Sequence, residues 1–444
     1  MSSAAAITSQ PEIGPPPKAV AKRLQAAVFL GVFTLLLFGP LAFGAVEPWA
    51  IFALQAGSVF LFIAWAFVQA FTVELQLTRS SVFLPMAAFA LLGIAQLIFR
   101  KTAYQAATIS QLLLYCAYGL VCFLMVQCLQ RRRNFRRLLA GFSSYGFLFA
   151  SFALIQGITS NEKLYWVRHP RFGGRIYGPY VNHNHYAGLM ELLLPFALVM
   201  FLSPGIRPRH KLVAALAATL MASTIFICGS RGGMLAVAVQ IAVLTAVILS
   251  RRTTAKMAIT VGLFLVLAFA SLAWLGGGEL MQRMRSIPTD MQSELSGGTR
   301  LSIDRDCLRM FLQKPLTGWG FGTFADVYPQ FRSFYTNLAI DEAHNDYLQL
   351  LVETGAVGVL VMIWFLLSVC RSGFRKLQRW PSNSEADVTL AAVVAISGIL
   401  VHSFLDFNLH IPANAALFFV LCAVVGMPVH NRSRVSRHHH DTLL

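Results

Sequence analysis

Apolar runs of about 20 residues recur through almost the whole chain, and that repetition restricts the fold more than any motif does. In a bilayer, backbone N–H and C=O groups find no water, so such runs must satisfy them internally as helices. Of the 444 residues, 56% are hydrophobic and only 12% charged, and mean hydropathy is +0.62. A soluble domain is excluded. The expected fold is an all-α integral membrane protein of about twelve transmembrane helices. They are placed near 24–44, 50–71, 82–99, 110–130, 138–158, 186–203, 211–229, 233–250, 256–275, 347–370, 388–405 and 412–428, the third, sixth and last being short.

The net charge of +17 suggests nucleic acid only if the cations share one surface. They sit between spans instead, which points to membrane topology and to no nucleic-acid partner. With the N-terminus inside, most of the 36 basic residues fall on inner loops, among them Arg79, RRRNFRR at 131–137, Arg207/Arg209/Lys211 and Arg371/Arg375/Lys376/Arg379. Both termini are therefore expected in the cytoplasm. The organisation reads as a tail 1–23, spans one to nine over 24–275, an outer cap loop 276–346, spans ten to twelve over 347–428, and a tail 429–444. Seven scattered cysteines suggest neither a disulfide framework nor a zinc site.

Basic residues outside run against the topological bias, so they are expected to have a task there. In the loop 159–185, Lys163, Arg168, Arg171 and Arg175 face a single local acid, Glu162. In the cap, LSIDRDCLRMFLQ at 301–313 reads as a short amphipathic helix with Leu301, Leu308, Phe311 and Leu312 on one side. GWGFGTF at 318–324 is too glycine-rich for a helix and reads as a turn packed by aromatics. The cap is expected to fold and to lie on the membrane.

Four outward pieces then converge: RFGGRIYGPYVNHNHYAG at 171–188, Ser230–Gly233, Gly297–Arg300, and DEAHNDYLQLLVETGAVG at 341–358. Arg231 and two glycines open a helix running inward. Free N–H groups and positive dipole there suit a phosphate, and a membrane-interface arginine is the plainer alternative. Arg300 adds a planar fork for phosphate oxygens. His344 precedes another inward helix, with Asn345 as its expected N-cap and Asp346 in its first turn. Positive potential at the helix end is expected to keep the imidazole neutral, ready to accept a proton. His402 and Asp406 lie one helical turn apart, with His410 following, so Asp406 can orient a second group or pair with an arginine. His183 and His185 lack a nearby acid, and no paired-acid motif suggests a metal or other cofactor.

Together, His344–Asn345 with Gly355 and Gly358, Ser230–Gly232, the run GGTRLSIDRDCLRMFLQKPLTGWGFGTF at 297–324 and HSFLDFNLHIPAN at 402–414 resemble the O-antigen ligase and polymerase superfamily. The resemblance covers roughly residues 170–428. It implies a GT-C-like membrane glycosyltransferase of the bacterial inner membrane, with a large periplasmic loop holding short helices. Its donor would be an undecaprenyl-diphosphate-linked glycan, and its acceptor the lipid A core or a second lipid-linked glycan. Carried over, His344 resembles the family's essential base, Arg231 and Arg300 its diphosphate-facing arginines, and Asp406 its late acid. Arg175, Asn345, His183 and His185 are candidate supporting residues, Arg175 on the diphosphate side. The competing class is a transporter or flippase for the lipid-linked glycan. It is disfavoured because the spans look nearly free of acids in their middles, Glu74, Glu191 and Glu353 being placed near ends.

Overall fold

The computed structural model describes residues 18–70, 77–161, 163–169, 177–250, 297–337, 339–378 and 384–428. Eight helices precede the cap: α1 (Lys18–Leu41), α2 (Pro48–Ala70), α3 (Phe83–Ile98), α4 (Gln105–Cys128), α5 (Arg132–Thr159), α6 (His183–Leu202), α7 (Pro208–Ile227) and α8 (Arg231–Leu249). The cap contributes α9 (Gly297–Gln313) and the single turn α10 (Phe324–Val327). Then come α11 (Asp346–Gln378), α12 (Ser384–His402) and α13 (Pro412–Val425), and no strand is present among the described residues. Nine of these helices are long and apolar enough to cross a membrane, and α3 and α13 are shorter apolar helices. The protein is an all-α, multi-pass integral membrane protein. The expected ninth span at 256–275, residues 276–296 of the cap, both tail ends and Arg175 lie outside the described residues.

The centre of the bundle is α6, α12 and α13, whose side chains are buried almost throughout, Phe196, Val394 and Phe418 among them. Outer helices show the opposite pattern, with Phe52, Phe60, Ile63 and Phe67 of α2 exposed where lipid would cover them. The sixth span is not short. Asn182 Oδ1 accepts from Asn184 N at 2.8 Å, starting α6 at His183 rather than 186 and turning His183 and His185 into first-turn helical residues.

One break in this helical order shapes the site. At Gly355 (φ 64°, ψ −167°) α11 is interrupted, a backbone conformation that side chains rarely tolerate. Residues 315–320 lie in the gap. Ala356 N donates to Pro315 O and Val357 N to Leu316 O, while Trp319 N donates to Val352 O and Gly320 N to Glu353 O. The groups freed by the break are thus satisfied by the cap, as hydrocarbon requires. Gln96 of α3 locks the arrangement, donating to Thr317 O and Glu353 O and accepting from Phe321 N. The Glu353 carboxylate accepts from Gly322 N at 2.9 Å. The 318–324 turn has the expected character, with Gly318, Gly320 and Gly322 at positive φ and the Phe321 ring packed, tilted, against that of Phe89 at 4.8 Å.

The protein-facing side of the cap helix is not the leucine stripe that the sequence reading picked out. Ile303, Cys307 and Met310 are its core side, packed with Phe324, Tyr328 and Val352. Leu301, Leu308 and Leu312 are exposed, and only Phe311 of the expected stripe is half-buried. Helical periodicity finds two apolar faces on α9 and cannot say which one meets protein.

Candidate active site

The site grows from three chain segments meeting at one end of the bundle: the start of α6, the start of α11 and the turn 403–411. Asn345 Oδ1 accepts from Tyr347 N at 3.1 Å and Leu348 N at 3.2 Å, the N-cap that the sequence reading expects. Asp346 then reaches sideways. Its Oδ1 lies 2.7 Å from His410 Nδ1, its Oδ2 accepts from Leu409 N, and its own N–H donates to Ser403 O. These bonds hold the 403–411 turn against the N-terminus of α11.

So placed, Asp406 faces His344, with Oδ1 3.4 Å from Nδ1. His185 Nε2 approaches the same oxygen at 3.8 Å. Asn184 Nδ2 donates to Asp406 Oδ2 at 2.6 Å and Phe407 N to Oδ1 at 2.9 Å. The Phe407 ring stands edge-on to both imidazoles, its centroid 4.5 Å from that of His185 and 4.8 Å from that of His344. Asp406 is buried, so desolvation alone would raise its carboxyl, but His185 and His344 outweigh this and hold it well below the usual carboxylate range. His344 sits at φ 54°, an uncommon conformation for a residue with a side chain. The charge nearest its ring is this carboxylate, not an arginine.

Arg300, at the start of α9, donates from Nη1 to Leu405 O at 2.9 Å and so reaches the residue next to Asp406. Its Nε is buried with no hydrogen-bond partner among the described residues, whereas His344 Nδ1 and His185 Nε2 face the Asp406 carboxylate at 3.4 and 3.8 Å. Donor capacity is therefore left over around this turn. Arg231 opens α8, capped by Ser230 Oγ accepting from Gly233 N at 3.1 Å. It is exposed and, among the described residues, pairs with no acid. The two glycines behind it allow close packing. A Cβ on Gly232 would stand 2.5 Å from His402 Cδ2, and one on Gly233 2.9 Å from Ala187 Cβ.

The structure thus brings His344, Asp406, His185 and Arg300 to one turn, with Asn345 capping the helix beneath them. It places Arg231 across His402 on the same end of the bundle, in no direct contact with His344. His183 lies at the first position of α6, its carbonyl near Cys228 Sγ. Among the described residues, neither His402 nor Asp406 pairs with an arginine. His402 Nδ1 lies 2.7 Å from Glu191 Oε1, both side chains being buried. Glu191 is the ninth residue of the twenty in α6, so it is not near a span end, and Gln240 donates to its backbone carbonyl. Arg168 also has a partner, Glu47 at 2.7 Å, in a loop far away in sequence.

Asn184, Glu342, Gln349 and Glu191 escape the sequence reading as site or support residues, and Asp346, expected in the first helical turn, proves to hold His410 as well. Asn184 carried a usable signal, lying between the two histidines of NHNH at 182–185. Glu342 bonds Gln349, whose Oε1 accepts from Ala343 N. Burial pushes the Glu342 carboxyl up, opposed by His410 and the Gln349 hydrogen bond.

The arrangement can accept a proton at a carboxylate-oriented imidazole and hold negative charge at adjacent guanidinium groups. Residues 216–363, a third of the chain, match the family model described as O-antigen ligase. No curated protein matches the chain. The matched segment carries Arg231, Arg300 and His344, whereas Asp406, His185 and Asn184 lie beyond it. Over residues 216–363, the chain is similar to the O-antigen ligase family.

Proposed function

We propose that the protein is an O-antigen ligase-like glycosyltransferase that moves a glycan from undecaprenyl diphosphate to an acceptor hydroxyl. The observation that carries this reading is the Asp406–His344 pair beside Arg300. The carboxylate keeps the imidazole proton on Nδ1 and leaves Nε2 free to act as base. Nε2 takes the acceptor hydroxyl proton as the oxygen forms its bond to the anomeric carbon. The bond from that carbon to the diphosphate oxygen breaks on the opposite face, and configuration inverts. Arg300, and Arg231 at the positive end of α8, receive the departing diphosphate charge. Arginine forks can hold those oxygens in place of a divalent ion.

The location follows from charge. Basic residues at 131–137, 207–211 and 371–376 gather at the end of the bundle opposite the site. The positive-inside rule supports a site on the periplasmic face of the bacterial inner membrane, with both termini in the cytoplasm. The lipid A core is the proposed acceptor, in keeping with the matched family.

The test is transfer from a lipid-linked glycan by the purified, reconstituted protein. His344→Ala is expected to abolish turnover and Arg300→Ala to lower it by ~10²–10³-fold. Wild-type rates in both variants would overturn the proposal. Product analysis separates acceptors: glycan on lipid A core supports the ligase, and a lengthened lipid-linked chain makes it a polymerase. Translocation without a new glycosidic bond would make it a carrier.

A further inference from the structure

Among the described residues of the cap, one side of α9 presents an exposed apolar stripe. Leu312 is 72% exposed and Leu316, just beyond the helix, 68%. Leu301 and Leu308 extend the stripe toward the helix start, with Arg305 and Arg309 interleaved. Among these cations Arg309 pairs with Asp306 at 3.3 Å.

This stripe does not end at the cap. Leu316 O bonds Val357 N of α11, and from there Val357, Leu360, Ile363 and Trp364 continue as an exposed apolar surface down a membrane span. Thr317 O is held by Gln96 of α3, whose end exposes Ile98 and Phe99. The spans' apolar surfaces face acyl chains, so the leucine face of α9 is contiguous with lipid at its C-terminal end.

A basic rim lies at that same junction. Arg100 and Lys101 follow α3, and Ala103 N donates to Trp319 O, which ties this loop to the cap. The Lys314 ammonium lies 4.1 Å over the Trp319 ring. Burial first, and the Lys101 charge second, push the Lys314 pKa down. Among the described residues neither lysine pairs with an acid. Two amines within electrostatic reach of each other, without a counter-ion and above an apolar ledge, match a lipid phosphate over its acyl chains.

We propose that α9 is an interfacial helix immersed leucine-face-down in the leaflet on the site's side, and that Lys101 and Lys314 hold the phosphate of an anionic phospholipid. Leucines enter the acyl region, arginine stems run up to the headgroups, and the lysine pair sits at phosphate depth.

The test uses the full chain in nanodiscs. Cys116 and Cys370, the two exposed cysteines, are replaced by serine, and Leu308→Cys or Leu312→Cys carries an environment-sensitive fluorophore. Quenching by doxyl-phospholipid should match that of a label at Phe60→Cys on α2, and iodide should quench weakly. Strong iodide quenching at both positions overturns the immersion. In phosphatidylcholine nanodiscs holding a minority of phosphatidylglycerol, the lipid retained on purification is measured by mass spectrometry. Phosphatidylglycerol enrichment is expected to fall by about fivefold for each of Lys101→Ala and Lys314→Ala. Unchanged enrichment in the double variant, or displacement of the lipid by excess inorganic phosphate, overturns the lipid site. Neither readout involves glycan transfer, so failure here leaves the enzymatic reading untouched.

Discussion

The Asp406 carboxylate, 1% exposed, lies 3.4 Å from Nδ1 of His344, whose ring stays 18% exposed. One partner is sealed from water while the other keeps an open edge. This is the arrangement of an orienting acid behind a working base, and removing the acid tests it directly. Asp406→Asn keeps the shape and the amide contacts but loses the charge that fixes the imidazole proton. Transfer rate is expected to fall by about 10²-fold, with kcat taking the loss and KM little changed. Steady-state kinetics on lipid-linked glycan check this. A loss confined to KM would mean that Asp406 serves substrate binding instead.

Two ionisable groups of the 403–411 turn, His410 and Asp406, respond to pH with opposite signs. Burial pulls the His410 pKa down, but Glu342 and Asp346 pull harder and raise it from 6.5 to about 10. A raised pKa stabilises fully below the unfolded value and ceases to do so as pH rises through the folded value. The His410–Asp346 contribution is therefore complete below pH 6.5 and lost toward about 10. Asp406 is depressed, so its contribution is present above the ordinary carboxylate pKa of about 3.9 and is withdrawn only at lower pH. Melting temperature in detergent should decline between neutral pH and about 10. His410→Gln should lower it at neutral pH and flatten that decline. An equally steep curve in the variant would remove His410 from the account.

Gly355 and Gly358 stand three residues apart, yet substitution should affect them unequally. At Gly355 the φ is 64°, and a Cβ would meet backbone atoms of Leu316 at 2.4 Å. At Gly358 the φ is ordinary and the nearest atoms belong to the Thr354 side chain, its Cβ among them, so the helical turn rather than a rotamer must shift to admit a methyl. Gly355→Ala is expected to cost more than about 3 kcal/mol or to prevent folding, and Gly358→Ala about 1–3 kcal/mol. Yield of monodisperse protein and thermal melts compare them. Equal tolerance would show that the 315–320 clamp yields easily.

Glu191 and His402 form a buried pair at 2.7 Å inside the bundle. Glu191→Ala leaves an imidazole without its partner and should destabilise by about 3–5 kcal/mol. Glu191→Gln keeps an acceptor for the ring N–H and should retain most of the stability. Transfer per folded molecule should stay near wild type in the Gln variant, because the pair packs α6 against α12 and carries no substrate. Loss of transfer in a well-folded Glu191→Gln protein would promote this carboxylate to a working role.

What could be read from residue order alone was the local part. That the chain crosses a membrane repeatedly as helices follows because lipid leaves the backbone no partner but itself. Caps such as Asn345 are legible because they act within three residues, and the glycine turn at 318–324 because its backbone needs glycine. The pairings were hidden. Nothing in the local pattern couples Asp406 to His344, Glu191 to His402, Asp346 to His410 or Arg168 to Glu47, since each joins segments far apart in the chain.

Rotation was hidden as well. The apolar residues of α9 form two faces, Ile303–Cys307–Met310 and Leu301–Leu308–Leu312, and residue order does not say which one is covered by protein. Hydrophobicity carries no direction: it drives a side chain out of water but does not choose between a protein core and a bilayer. Order along the chain therefore determined which segments enter the membrane. Packing among those segments decided which acid faces which imidazole, because a contact of a few ångströms depends on how each helix is turned and how deep it sits.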